Sequence, residues 1–293
     1  MIYSLLAFLT WGIADLFYKK GNIEEKKYND IKTGIIVGII MGIYATVYLL
    51  VKHVEINIIE IIKYLPVSLC YISSMVIGYK GLKYIELSLS SPIQNTSGVI
   101  TSILLIIFFK EILPPLAYVA FILIFVSIFS IYLMEKKEER NFEVKTKKKK
   151  FNILAIILPI IYCLLDGLGT FLDALYLDKF EWISEDSALI AYEYTFLIFA
   201  IICLIYLKHK KEKFNIIKEK NKLLAASFET VGQFFYVFAM ADNSTISATI
   251  VGSYCVLSML LSRIFLKEKL SLKKYIAIFS TIVGIIVLLF LDV

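Results

Sequence analysis

The chain has 293 residues, 59% of them hydrophobic and only 19% charged, with a formal net charge of +6. A soluble domain is nearer one-half apolar and one-quarter charged, whereas here the charges clump between apolar runs of about 18–25 residues, the length that crosses a bilayer. This pattern excludes a soluble enzyme, and lysines in short loops without interleaved aromatics do not suggest nucleic-acid recognition.

Membrane-spanning helices are predicted, in chain order, at 2–18, 33–51, 62–80, 86–109, 114–134, 152–177, 187–207, 222–241, 244–266 and 275–291. The first run, "MIYSLLAFLTWGIADLFYKKG", lacks a positive leading region and a small-residue cleavage site, so it reads as a retained span. It carries Trp11, Asp15 and Tyr18 one helical turn apart. Span 2 carries Gly34, Gly38 and Gly42, a small-residue face that lets another helix approach closely. Tyr79 closes span 3, and span 4 offers Ser91, Gln94, Asn95 and Thr101. Spans 2, 5 and 10 are apolar at their centres and are expected to pack outside. The basic stretch "EKKEERNFEVKTKKKK" (135–150) is a solvated linker between two halves, 1–134 and 151–293, with anionic lipid as a further contact.

In the second half, Asp166 and Asp173 lie two turns apart on span 6, with Gly169 and Thr170 between them and Tyr162 one turn before Asp166. Glu193 lies early in span 7; Glu229, Gln233 and Tyr236 share a face of span 8; Ser247, Tyr254 and Ser258 stripe span 9. The four cysteines each sit alone in an apolar run, with no C-x-x-C spacing for a metal or disulfide framework. The two histidines fall in loops, and no nucleophile motif or phosphate-cradling glycine loop occurs. No enzyme activity, metal or cofactor is therefore expected, and ATP is not an expected energy source within this chain.

All lysines and arginines except Lys52, Lys63, Lys110 and Lys179 fall in the odd-numbered connections. The positive-inside rule then places those connections in the cytoplasm and both termini outside.

The chain also repeats itself. "FFKEILPPLAYVAFILIFVSI" aligns with "FLKEKLSLKKYIAIFSTIVGI", so that Lys110-Glu111 falls on Lys267-Glu268, Tyr118 on Tyr275 and Ala120 on Ala277. The same register puts Tyr79 on Tyr236, and a small adjustment puts Asp15 on Asp166. Each repeat holds an odd number of spans, so the second enters the membrane from the opposite face, an arrangement that places a substrate site near the midplane between the halves. The expected fold is all-α: ten transmembrane helices in two inverted five-helix repeats.

Together with Trp11-Gly12 in span 1, "SLSSPIQNTSG" opening span 4, the glutamates of "KEIL" and "KEKL", and Gly284 in the closing helix, this organisation resembles the drug/metabolite transporter superfamily, specifically EamA-like proteins. The likeness covers the whole chain. It departs at Thr249, where the first half has Pro92, and at Tyr162-Cys163, opposite Trp11-Gly12. The resemblance implies cytosolic termini, against the charge asymmetry.

A carboxylate at the centre of an inserted helix costs about 2.5–3.5 kcal/mol, so these acids should face a shared cavity. Desolvation favours the neutral form, which suits a group that takes up a proton on one side and exchanges it for a cationic solute. Nearby rings add cation–π attraction. The structural alternatives are local: Asp173 and Glu193 hydrated near a span end, Asp15 paired with Lys19, and Glu111 and Glu268 paired with nearby lysines. The expected function is secondary transport of a small organic solute across the cell membrane by alternating access. The solute is an amine, a cationic metabolite or an amino acid, and proton coupling is a further expectation. Substrate contacts are assigned to Trp11, Asp15, Tyr79, Gln94, Asn95, Tyr162, Asp166, Glu193, Glu229, Gln233, Tyr236 and Tyr254, with the small solute and the lipid bilayer as partners and no nucleic acid. A carrier for neutral sugars or nucleosides, or a non-transporting sensor or scaffold, are the competing readings.

Overall fold

The computed structural model describes residues 1–22, 27–54, 57–81, 96–146, 154–267 and 270–291. Its first half contains α1 (Ile2–Asn22), α2 (Asn29–Lys52), α3 (Ile58–Gly81), α4 (Thr96–Phe109) and α5 (Pro115–Thr146). The second contains α6 (Leu154–Ala174), α7 (Glu185–His209), α8 (Lys220–Val251), α9 (Cys255–Phe265) and α10 (Leu272–Phe290). Seven of these are long and apolar enough to cross a membrane, and α4 and α9 are shorter apolar helices. The helix of span 5 runs on to Thr146, into the stretch expected as linker. Its Glu, Lys and Arg residues are strong helix formers.

The repeats interlock. The main packing pairs run between halves: α1 on α8, α3 on α6, α2 on α7 and α5 on α10. Exchanging the halves maps α1–α8 onto α6–α3 and leaves α2–α7 and α5–α10 as self-equivalent pairs, as a pseudo-twofold axis requires. The backbone carries the same signature. Among the described residues, the non-glycine positions with positive φ are Tyr28, His53, Lys110, Glu181, Lys211 and Lys267. The first three sit at helix ends of one half and the last three at the corresponding ends of the other.

The predicted close approach of span 2 is present, and its partner is α7. A Cβ added to Gly38 would lie 2.4 Å from the Phe196 carbonyl oxygen, and one on Gly42 would meet Leu197 at 2.6 Å. Span 2 is therefore not peripheral on this face: its glycines form a seam between the halves.

Span 9 is discontinuous. α8 includes span 8 and the first part of span 9, with non-helical backbone at Asn243. The sequence "ADNST" supplies the break and the restart. Asn243 Oδ1 accepts from the Ile246 amide at 3.0 Å, and Asp178 Oδ2 accepts from the Ser244 amide at 3.0 Å. Ser247 donates to the Ala239 carbonyl at 2.8 Å, satisfying an acceptor freed by the break. A turn at Gly252–Tyr254 then leads into α9.

Ion pairs and charged hydrogen bonds tie the helices at both ends of the bundle. At one end Lys32 pairs with Glu212 at 2.8 Å, Lys222 binds Asn29, and Lys19 donates to Ser262 at 3.3 Å. The hydrogen bond from Lys32 holds the Glu212 carboxyl below the usual range. At the other end Lys179 bridges Asp178 at 2.8 Å and Glu111 at 2.6 Å. Glu111 thus pairs with a lysine from the opposite half rather than a local one. Glu268 lies outside the described residues.

Candidate functional site

A cavity of about 110 Å³ lies between the repeats, lined from α1, α3, α4, α6, α7, α8 and the broken span 9. The interior acids Asp15, Asp166 and Glu229 all border it. They reach it because each sits on the inter-repeat face of its helix: α1 and α8 pack on each other, and α6 packs on α3 and α4.

Two of the acids are held by crossed, pseudo-equivalent contacts. Asp15 of α1 accepts from Ser258 of α9, and Asp166 of α6 accepts from Ser97 of α4 at 2.6 Å. In each case the first helix of one half binds the fourth of the other. One turn along α1, the Lys19 ammonium donates to Ser262 of the same helix α9 at 3.3 Å. The Glu229 carboxylate has no hydrogen bond or ion pair among the described residues, while its backbone carbonyl accepts from Trp11 Nε1 at 3.2 Å.

Aromatic rings form the walls. Trp11 lies 5.0 Å from Tyr236 and 5.9 Å edge-on from Tyr254. Tyr18 and Tyr79 stand 5.4 Å apart, joined by their hydroxyls at 3.2 Å. Trp11 packs flat on α8 because Gly232 has no side chain there: a Cβ would lie 2.2 Å from the indole.

Behind the cavity lining, Asp173 is bonded to the lining residue Tyr71. The Asp173 side chain is fully buried, so the hydrated position near a span end that the sequence permits does not hold. It accepts from Tyr64, and from Tyr71 at 3.4 Å; the Tyr71 and Tyr236 hydroxyls are 2.6 Å apart. Helices α3, α6 and α8 are thereby tied together behind the cavity lining.

Of the residues assigned from sequence, Trp11, Asp15, Tyr79, Tyr162, Asp166, Glu229, Gln233, Tyr236 and Tyr254 line the cavity. Gln94 and Asn95 lie outside the described residues. Glu193 is not brought to the cavity: it is fully buried elsewhere, and its neighbour Tyr192 takes the lining position. Tyr71, Met75, Ser97 and Gly98 are lining residues that the sequence reading missed.

No curated protein matches the chain. Among solved structures, one titled only as the crystal structure of a protein is 12% identical, with a TM-score of 0.70 over 98% of this chain and 94% of that one. That likeness is one of fold. The family model of the EamA-like transporter family matches residues 1–133 and again 150–290. The chain therefore belongs to the EamA-like transporter family, and is an integral multi-pass membrane protein that transports small solutes.

Proposed function

We propose that the transported solute is a small organic cation, bound by its ammonium group in the inter-repeat cavity and handed across the cell membrane by alternating access. One observation carries this reading. Three carboxylates line the cavity, and among the described residues its lining contains no lysine, arginine or histidine. Like charges this close oppose one another's ionisation, so the site is completed by protons or by a cation. Ring faces from Trp11, Tyr236 and Tyr254 add about 0.5–2 kcal/mol of cation–π attraction. Exchange of protons for the solute follows as the coupling mode.

Size and polarity narrow the choice. A cavity of about 110 Å³ is smaller than the roughly 150 Å³ that admits benzene, which favours a compact amine or amino acid over a nucleoside. The buried Gln233 amide nitrogen has no hydrogen-bond partner among the described residues. A solute that carries an acceptor oxygen beside its ammonium group, as amino acids do, satisfies it.

The test is a stabilisation panel on purified protein, because a ligand at 100 times its Kd adds about 2.7 kcal/mol. Small amines and amino acids are expected to raise the melting temperature, and matched concentrations of glucose or adenosine to leave it unchanged. Stabilisation by the sugar or nucleoside alone would return the site to the neutral-solute reading.

A further inference from the structure

Glu193 stands apart from the cavity acids in both place and environment. Its side chain is fully buried, and neither carboxylate oxygen has a hydrogen-bond partner among the described residues. It lies on α7 where that helix meets the glycine face of α2. One turn further along, the Phe196 backbone lies against Gly38 and the Leu197 side chain against Gly42. At the adjoining position, Tyr194 bonds Thr46 at 3.2 Å. Glu193 therefore sits in the seam between the repeats, at one of the two helix pairs that the pseudo-twofold axis maps onto themselves.

Among the described residues, the titratable groups that interact with it are phenols. From α2, Tyr44 is the titratable side chain that interacts with it, and on its own helix Tyr192 does so. The acids Glu229 and Asp166 of α8 and α6 and Tyr79 of α3 instead face Tyr192, on the cavity side. No ion pair to Glu193 occurs among the described residues. An isolated carboxylate in such a place is very costly, and the neutral acid is the form that an apolar site accommodates. Calcium and magnesium take about six or more oxygen ligands, and among the described residues no group of three or more His, Cys, Asp or Glu could hold a metal ion.

We propose that Glu193 is a proton-binding site separate from the solute cavity, loaded in this conformation and unloaded when α2 and α7 part. The carboxyl O–H bond breaks, the proton passes to water admitted by the opened seam, and the electron pair stays on the carboxylate. Reclosure requires the proton back, so protonation at Glu193 is linked to the conformational exchange itself rather than to occupancy of the cavity. The inference extends the proton-coupled reading above, but its test needs no solute and stands or falls separately from solute identity.

The experiment is infrared difference spectroscopy on purified protein at neutral pH, wild type against Glu193→Gln. A protonated-carboxyl band that shifts in heavy water is expected in the wild type and absent from the variant. The same band is expected to persist in Asp166→Asn and Glu229→Gln, which alter the cavity. A wild-type spectrum unchanged by Glu193→Gln, or a band lost instead from a cavity variant, overturns the proposal. Should the Gln variant not fold, mass-spectrometric mapping of wild type treated with dicyclohexylcarbodiimide decides the matter, because that reagent attacks protonated carboxyls in apolar surroundings. An adduct on Glu193 is expected, and its absence while other interior acids are tagged refutes the assignment.

Discussion

Asp166→Asn is expected to lower affinity for a small organic cation by about 30-fold, at nearly constant fold stability. The substitution keeps shape and the bond from Ser97, which donates to Asp166 at 2.6 Å, and removes one negative charge from the cavity wall. Loss of one member of a desolvated charge pair costs about 2–5 kcal/mol, and each 1.4 kcal/mol is tenfold in affinity. The lower end applies because Asp15 and Glu229 remain beside the same cavity. Asp242→Asn is the control: that carboxylate is half-exposed and binds the amino terminus at 2.5 Å, so cation affinity is expected to stay unchanged. Isothermal titration with the amine that best stabilises the protein reads both. Equal affinities in wild type and Asp166→Asn would remove the electrostatic basis of recognition.

Gly98→Ala is expected to destabilise the protein by about 3 kcal/mol, the upper end of the usual overpacking range. A Cβ there would lie 2.1 Å from the Ala248 carbonyl oxygen and 3.1 Å from the Gly252 Cα. Both neighbours are backbone, so no side chain can rotate away. Thr249 donates to Ser102 at 2.8 Å nearby and resists separation of α4 from the broken span. Gly167→Ala provides the contrast. Its nearest neighbours would be 3.7 Å or more away, an ordinary contact, and alanine favours the helix by up to about 1 kcal/mol over glycine. Chemical denaturation in mixed micelles is expected to show a large loss for the first and none for the second. Comparable behaviour of the two variants would contradict the backbone-to-backbone crossing at Gly98.

The repeat and most of the cavity were legible in the sequence for a physical reason. Polar groups in a lipid-facing run are so unfavourable that Asp15, Asp166, Glu229 and Gln233 had to converge on protein or water, and they do. Residues that are compatible with either lipid or cavity left no such trace. Tyr71, Met75 and Tyr79 form a stripe down one face of α3, but only its last member was noticed, because tyrosine and methionine suit a lipid-facing helix equally well. Glu193 misled in the opposite way. Its charge marked it as a site residue, yet one residue of helix rotation puts Tyr192 at the cavity and Glu193 in the seam. Asp173 was legible as sharing a face with Asp166 but not as the centre of a tyrosine network, because its partners Tyr64 and Tyr71 come from a distant helix. The break at Asn243 had a local signal, whereas the capping carboxylate of Asp178 depends on tertiary contact.

The central claim is that the interior acids of both halves face one hydrated, cation-selective hollow. Thiol accessibility tests it most directly. With Cys70, Cys163, Cys203 and Cys255 replaced, a single cysteine is introduced at Tyr162 of the cavity wall, or at Leu164, whose side chain is exposed on the outer surface of the bundle. Rates are then compared for cationic and anionic methanethiosulfonates of equal size. The account predicts reaction at Tyr162→Cys, at least about tenfold faster with the cationic reagent, since 1.4 kcal/mol of electrostatic preference gives that ratio, and no reaction at Leu164→Cys in the bilayer. An unreactive Tyr162→Cys, or one that reacts equally with both reagents, would contradict it.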